Sequence, residues 1–356
     1  MDRPMPTLFI PTRNRPVSLC KVLEYLAAFY PQTRVIIADG STDQYRQQNQ
    51  RSMESMAAKL AIDYRAYPQD TGYVARSFDV LRSEADEFIV FGADDEYPNM
   101  EVMIKGENFL SKNPDYVTAL GTRVALIMGQ DEVISQKLKE ARPIQNEQAW
   151  RRMKSYAEWS FATTYAVTRR THILARLQRL QNRAPAGFFD FIVGLYDAWC
   201  GKIKAFPEIG FFTTRTYVHN FFRPGSKLFF LHHSDTVLAL QKDLENDLRA
   251  ENALTETRTG ELSEIMIRNR IAELTGRDLS TLATFHDSPH FNHHIIQKQY
   301  ELFDQLLDHT SQTYQTYADR LGFIQDAMRY VAKSGKGKPG TCYSFLDDRV
   351  DEDGVG

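Results

Sequence analysis

Three short apolar runs near the start of the chain each stop at a polar, turn-forming cluster. That recurrence restricts the fold more than any other feature of the sequence. Thr7–Ile10 ends at Pro11-Thr12-Arg13-Asn14-Arg15, Val35–Ala38 at Asp39-Gly40-Ser41-Thr42-Asp43, and Glu87–Phe91 at Gly92-Ala93-Asp94-Asp95-Glu96. Between them lie amphipathic stretches, such as residues 16–29 with Val17, Cys20, Leu23 and Ala27 at helical spacing. Apolar runs alternating with such helices predict an α/β fold with a mostly parallel central sheet flanked by helices. In an open sheet of that kind ligands gather outside the carboxyl ends of the strands. All three polar clusters are expected at that rim.

The same reading predicts helices over 16–29, 44–61, 99–111, 145–158 and 171–182, and another from Asp190 to about Trp199. A helix opened by Gly72 should bury Val74, Phe78 and Leu81. Further strands are expected at 64–67, 116–120, 161–168 and 202–206. From about residue 234 strand signals vanish, and 235–256, 260–275 and 289–333 carry helical periodicity. The expected organisation is an α/β domain over 1–230, an all-helical extension over 231–335 and a loosely packed tail over 336–356.

Composition narrows the partners. Hydrophobic residues make up 42% and charged residues 25%, ordinary for a globular chain. A net charge of −3 supplies no global field for nucleic acid or an anionic membrane, so an anionic ligand must be held by local groups. Nucleic acid is not expected as a partner. Three scattered cysteines form neither a disulfide framework nor a zinc pattern, which predicts free thiols in a reducing compartment. No secretory signal and no run of ~20 apolar residues is present, so a cytoplasmic location is expected.

Asp94-Asp95 is the sharpest chemical feature. Two adjacent carboxylates after a fully apolar strand repel each other, and partly buried they cost folding energy unless a cation compensates. Hard oxygen ligands suit Mg²⁺ or Mn²⁺, which leave positions open for phosphate oxygens. The alternative is a solvated acidic turn.

The run Thr7 to Pro16, then Ile36-Ile37-Ala38-Asp39-Gly40-Ser41-Thr42-Asp43, then Gly72-Tyr73-Val74-Ala75-Arg76-Ser77 and Phe88 to Glu96, resembles the opening half of family 2 glycosyltransferases with the GT-A fold. Arg169-Arg170, Phe188-Phe189-Asp190-Phe191 and Trp199-Cys200-Gly201-Lys202-Ile203 resemble that family's acceptor half. The resemblance spans about residues 5–215. Two positions depart from the pattern: Ser77 stands where Asn is usual, and Phe189 where an acid commonly precedes the catalytic one.

The resemblance implies a metal-dependent, inverting transfer of a sugar from a nucleoside-diphosphate sugar, UDP-linked, to an acceptor hydroxyl. The acceptor would be a glycan, a lipid-linked sugar or another anionic molecule. Pro11, Thr12, Arg15, Asp39, Arg76 and Asp94 would contact the nucleotide, with Asp39 accepting from the base. Asp95, with Asp94, would hold Mn²⁺ or Mg²⁺. Asp190 would be the general base, with Asp197 or Glu208 as fallbacks and a helix N-cap as its alternative role. His219 is a candidate third metal or phosphate contact. His286, His290, His293 and His294 form a further cluster, read as an acceptor-facing or subunit-contact surface with a metal site as the alternative. Arg169, Arg170, Arg176, Arg179 and Arg183 read as a basic stripe, either solvated or facing an anionic acceptor or surface. The rival readings are a sugar-1-phosphate nucleotidyltransferase and a non-catalytic glycan-binding protein on the same fold.

Overall fold

The computed structural model describes residues 5–31, 33–128, 133–139, 141–180, 189–216, 301–302 and 304–334, with isolated positions between 242 and 249. The chain runs β1 (Thr7–Thr12), α1 (Pro16–Phe29), β2 (Arg34–Asp39), α2 (Asp43–Met56), β3 (Ala61–Ala66), α3 (Tyr73–Arg82) and β4 (Phe88–Phe91). It continues through β5 (Glu96–Pro98), α4 (Met100–Lys112), β6 (Tyr116–Met128), β7 (Val133–Lys139), α5 (Ala149–Glu158) and β8 (Val167–Arg169). Then come α6 (Arg170–Leu180), α7 (Phe189–Cys200), β9 (Lys202–Thr216) and α8 (Gln312–Ser334).

One sheet holds all nine strands, in the order β3-β2-β1-β4-β8-β6-β9-β5, with β7 paired to β6. β3, β2, β1 and β4 are parallel, and β8 runs antiparallel between β4 and β6. Because β8 reverses twice over, β6 and β9 again point the same way as β4. This is the helix-flanked α/β architecture the sequence predicts. β5 and β7 add antiparallel pairings that the sequence reading did not anticipate.

The differences have local causes. β1 continues through Pro11 to Thr12, because β4 pairs only as far as Phe9 and the missing proline N–H therefore faces no ladder partner. α2 stops at Met56, not 61, since Ala61 already pairs with Arg34 in β3. α3 buries Arg76, Ser77, Val80 and Leu81, while Val74 and Phe78 are only half-buried. The strand expected over 161–168 shrinks to three residues, because Thr163 and Thr164 commit their hydroxyls to carboxylates on α7. β6 and β9 run well past their expected ends and pair with each other along most of their length.

The core is divided by the sheet. One face packs Leu19, Val22, Leu23 and Leu26 of α1 with Met103 and Leu110 of α4. α8 closes this face with Leu321, Ile324, Ala327 and Met328, and Phe323 meets the rings of Tyr25 and Phe29 at 6.0 and 5.9 Å. The other face carries Val80, Leu81, Ile173 and Leu177 from α3 and α6, and a third cluster lies under α5 and α7. α8 falls in the last of the three expected helical regions. The boundaries at 230 and 335, the segments 235–256 and 260–275 apart from isolated positions, and the tail lie outside the described residues. No helix among the described residues is long and apolar enough to cross a membrane.

Candidate functional site

The loops after β1 and β2 are stitched together at the carboxyl rim. Asn14 adopts φ 54, a left-handed conformation that asparagine tolerates better than most residues. In that turn the Asn14 N–H donates to Ser41 Oγ at 2.8 Å, and Asn14 Oδ1 accepts from the Thr42 N–H at 2.9 Å. The reversal delivers Arg15 to the end of β4.

There Arg15 bridges both acids. Its Nη1 donates to Asp94 Oδ1, and its Nη2 lies 3.1 Å from Asp95 Oδ2. Thr12 Oγ1 donates to Asp94 Oδ2 at 2.7 Å. Asp94 is wholly buried, whereas the Asp95 side chain keeps 13% exposure. Burial pushes the Asp94 carboxyl up to about 6; Arg15 pulls it down and neighbouring Asp95 pushes it further up. Thr12 and Arg15 were expected at a nucleotide, and here their first partners are the acid pair.

Asp39 is also fully buried, and its carboxylate is largely consumed by its own chain. Oδ1 accepts from the Ser41 N–H at 2.7 Å; Oδ2 accepts from Asn49 Nδ2 and Tyr64 OH, each at 2.7 Å. In this way it clamps the turn after β2. Arg76 packs against that turn. Its Nη1 donates to the Thr71 carbonyl at 3.1 Å, and a Cβ on Gly40 would overlap its guanidinium. At 1% exposure it is a buried cation, not a surface ion pair, and its field reaches Asp94.

Asp190 enters the site from α7. It sits within the first turn of that helix, not at a cap position, and Thr164 Oγ1 donates to its Oδ1 at 2.9 Å. Asp95 and Asp190 both act electrostatically on Arg123 and on Tyr165. Arg123 lies 4.5 Å from the Tyr165 ring centre and donates to Glu96 and Thr213, while Thr213 Oγ1 donates to Glu96 Oε2 at 2.6 Å. Arg123, Thr164, Tyr165 and Thr213 were missed in the sequence, and Glu96 was given no role. The one available signal was a lone arginine inside the apolar run of β6.

The fallback bases lie elsewhere. Asp197 is fully buried, held by Thr163 Oγ1 at 2.5 Å, His172 Nε2 at 2.7 Å and Arg176 Nη1 at 3.1 Å. Glu208 pairs with Lys105 at the surface. The basic stripe is not a stripe: Arg169 binds Glu87 and three backbone carbonyls, Arg170 the Asp86 carbonyl, and Arg176 Asp197. Arg179 covers the rings of Tyr196 and Trp199. Arg183, His219 and the His286–His294 cluster lie outside the described residues.

As a cation site the arrangement fits in part. Asp95 offers a partly exposed hard oxygen donor, while both Asp94 oxygens are already engaged. Among the described residues no three acidic, His or Cys side chains form a ready-made metal cage. Mg²⁺ and Mn²⁺ commonly rely on one or two carboxylates and take further ligands from a bound phosphate.

No family model matches the chain, and no curated protein matches it. Solved structures do. A Staphylococcus aureus TarS fragment, residues 1–349, is similar over 93% of this chain and 90% of its own, at 16% identity and a TM-score of 0.46. The same fragment in complex with UDP-GlcNAc gives 16% identity and a TM-score of 0.45, covering 93% and 91%. Its complex with UDP gives 0.40 at the same identity, covering 93% and 90%.

Proposed function

We propose that the protein transfers a sugar from a UDP-linked donor to a glycan hydroxyl, inverting the anomeric centre. The observation that carries this reading is the Thr12–Asp94–Arg15–Asp95 network. It places a buried acid, kept at a cost, beside an accessible one at the rim where an open α/β sheet receives ligands. The similarity to TarS, whose structures include UDP and UDP-GlcNAc complexes, is in keeping with it but is too distant to carry it.

In this reading Arg76 and the β1 and β2 loops line the nucleotide, and Arg15 bridges the acid pair and the diphosphate. Asp95, backed by Asp94, would hold Mn²⁺ or Mg²⁺. Such an ion, when bound, neutralises charge on the departing diphosphate. Thr164 fixes one oxygen of Asp190, and the other takes the proton of the acceptor hydroxyl. The acceptor oxygen bonds to the anomeric carbon as the bond from that carbon to the diphosphate breaks. A neutral glycan hydroxyl suits the acceptor side, since Arg169, Arg170 and Arg176, candidates for facing an anionic acceptor, are spent on internal partners.

The test is thermal unfolding of the full chain against UDP, UDP-sugars and Mn²⁺, alone and combined, followed by assay of UDP release. A ligand at a hundred times its Kd should add about 2.7 kcal/mol to stability. The reading is abandoned if no nucleotide, with or without Mn²⁺, raises the melting temperature.

A further inference from the structure

At the opposite rim of the sheet, where α7 ends and β9 begins, lies a cleft of about 500 Å³. Glu147, Gln148, Ala149 and Trp150 form one wall, and Trp199 and Cys200 the other. α7 spans the molecule between the two places: Asp190 stands in its first turn and Trp199 nine residues on, about 14 Å along the axis at 1.5 Å per residue. None of these residues takes part in the reaction proposed above.

The cleft is built rather than incidental. Arg152, 7% exposed, lies at its base and joins the walls. Its Nε donates to the Ala198 carbonyl at 2.7 Å and its Nη2 to the Trp199 carbonyl at 2.6 Å. Its Nη1 donates to the carbonyls of Asn146 and Glu147 at 2.9 and 2.7 Å. One buried cation thus satisfies the last carbonyls of α7 and ties them to the segment opening α5. The volume falls within the ordinary range for small-molecule sites, and the walls are set before any ligand arrives.

The lining chemistry selects the ligand. Two half-buried indoles offer broad apolar faces, and the exposed Glu147 and Gln148 offer a carboxylate and an amide at the rim. Guanidinium groups stand over both indoles, Arg151 at 5.2 Å from Trp150 and Arg179 at 5.3 Å from Trp199, so a cationic guest is repelled. Arg152 spends its donors on carbonyls, Lys202 is taken up by Glu147 and Asp115, Arg151 and Arg179 lie against the indoles, and the Glu147 carboxylate at the rim opposes an anion. What remains is a neutral ligand with an apolar face and a hydroxylated edge. A pyranose ring has both.

We propose that this cleft binds a saccharide unit of a neutral glycan, as a second attachment point for the acceptor on the far side of α7 from Asp190. The choice of an acceptor glycan rests on the transferase reading; the binding itself does not need turnover. Cys200 at the lip supplies the assay, because it is an exposed thiol. Full-length protein would be incubated with tetrasaccharides of glucose, N-acetylglucosamine, galactose and mannose. Iodoacetamide labelling of Cys200 would be followed by peptide mass spectrometry, with Cys20 as the internal reference.

At ten times its Kd a bound saccharide should slow Cys200 labelling about tenfold without slowing Cys20. Ala149→Trp, which fills the cleft from its wall, and Trp199→Ala should each abolish the protection. Thermal unfolding checks that both variants fold, and wild-type protection stands as evidence if either does not. The proposal is overturned if none of the four sugars protects Cys200, or if protection persists in a folded Ala149→Trp variant. The UDP-sugar thermal shift, run on the same samples, reports the other rim. Its absence alongside Cys200 protection would sink the transferase reading and leave the cleft standing.

Discussion

Asp94→Asn exchanges a wholly buried carboxylate for an amide of the same shape. The hydrogen bonds survive the exchange: the amide oxygen accepts from Arg15, and Thr12, a donor in the native protein, accepts from the new N–H. What changes is the charge. The Asp94 carboxyl rises from 3.8 to about 6, chiefly through burial. At about 1.4 kcal/mol per pH unit, its ionisation costs the folded state roughly 3 kcal/mol. Below about pH 4 both folded and unfolded chains hold the proton, and the group costs nothing. Between about 4 and 6 the unfolded chain loses its proton first, and above about 6 the full cost is present. The Asn variant should therefore match wild type in acid and exceed it by up to ~3 kcal/mol near neutrality. Urea unfolding of both proteins across that interval measures the difference, in which titrating groups away from Arg15 and Asp95 cancel. A gap independent of pH, or a less stable variant near neutrality, would refute the claim that burial, and not Arg15, dominates this carboxyl.

Asp95→Ala should keep the fold but lose any Mn²⁺-dependent thermal shift with a UDP-sugar, as melting curves would show. Asp190→Ala should retain that shift and lose transfer by about 10²-fold or more, seen in UDP release with acceptor present. Gly194→Ala places a methyl group on Tyr156, whose hydroxyl donates to the Phe161 carbonyl at 2.7 Å, and should cost about 1–3 kcal/mol in denaturant. Asp197→Asn strands the buried Arg176 charge and should cost about 3–5 kcal/mol near neutrality. Burial works against the native Asp197 charge, but Arg176 and His172 outweigh it and hold the carboxyl below 3.8. Its contribution should therefore be present above that pH and fade only as pH falls further. A neutral Asp197→Asn would mean the cluster is not what holds α6 to α7.

In the parallel half of the sheet β1, β2 and β4 were legible because each is buried on both faces and announces itself as an apolar run with a polar stop. β5 was not. Glu96-Tyr97-Pro98 carries no strand signature, and only its pairing with Phe211–Thr213, over a hundred residues away, makes it a strand. The acid pair was equally plain, but its partner was not. Arg15 reaches Asp94 only because Asn14 turns left-handed, a property of one backbone angle. Asp39 shows the converse. Its place at the rim was correct, while the three donors that occupy it come from Ser41, Asn49 and Tyr64, which no local pattern connects. The arginines of β8 and α6 misled for the same reason. A string of cations looks solvent-facing until the fold brings Glu87, Asp197 and backbone carbonyls to meet it.

The packing of α8 over α1 sets an order of events in synthesis. Tyr25 and Phe29 leave the ribosome before the residues that cover them, Leu321 to Met328, which follow roughly 300 positions later. At ~5–20 residues per second that greasy flank stays bare for some 15–60 s. The nascent protein must pass that interval with an open seam, which closes only once α8 has been made.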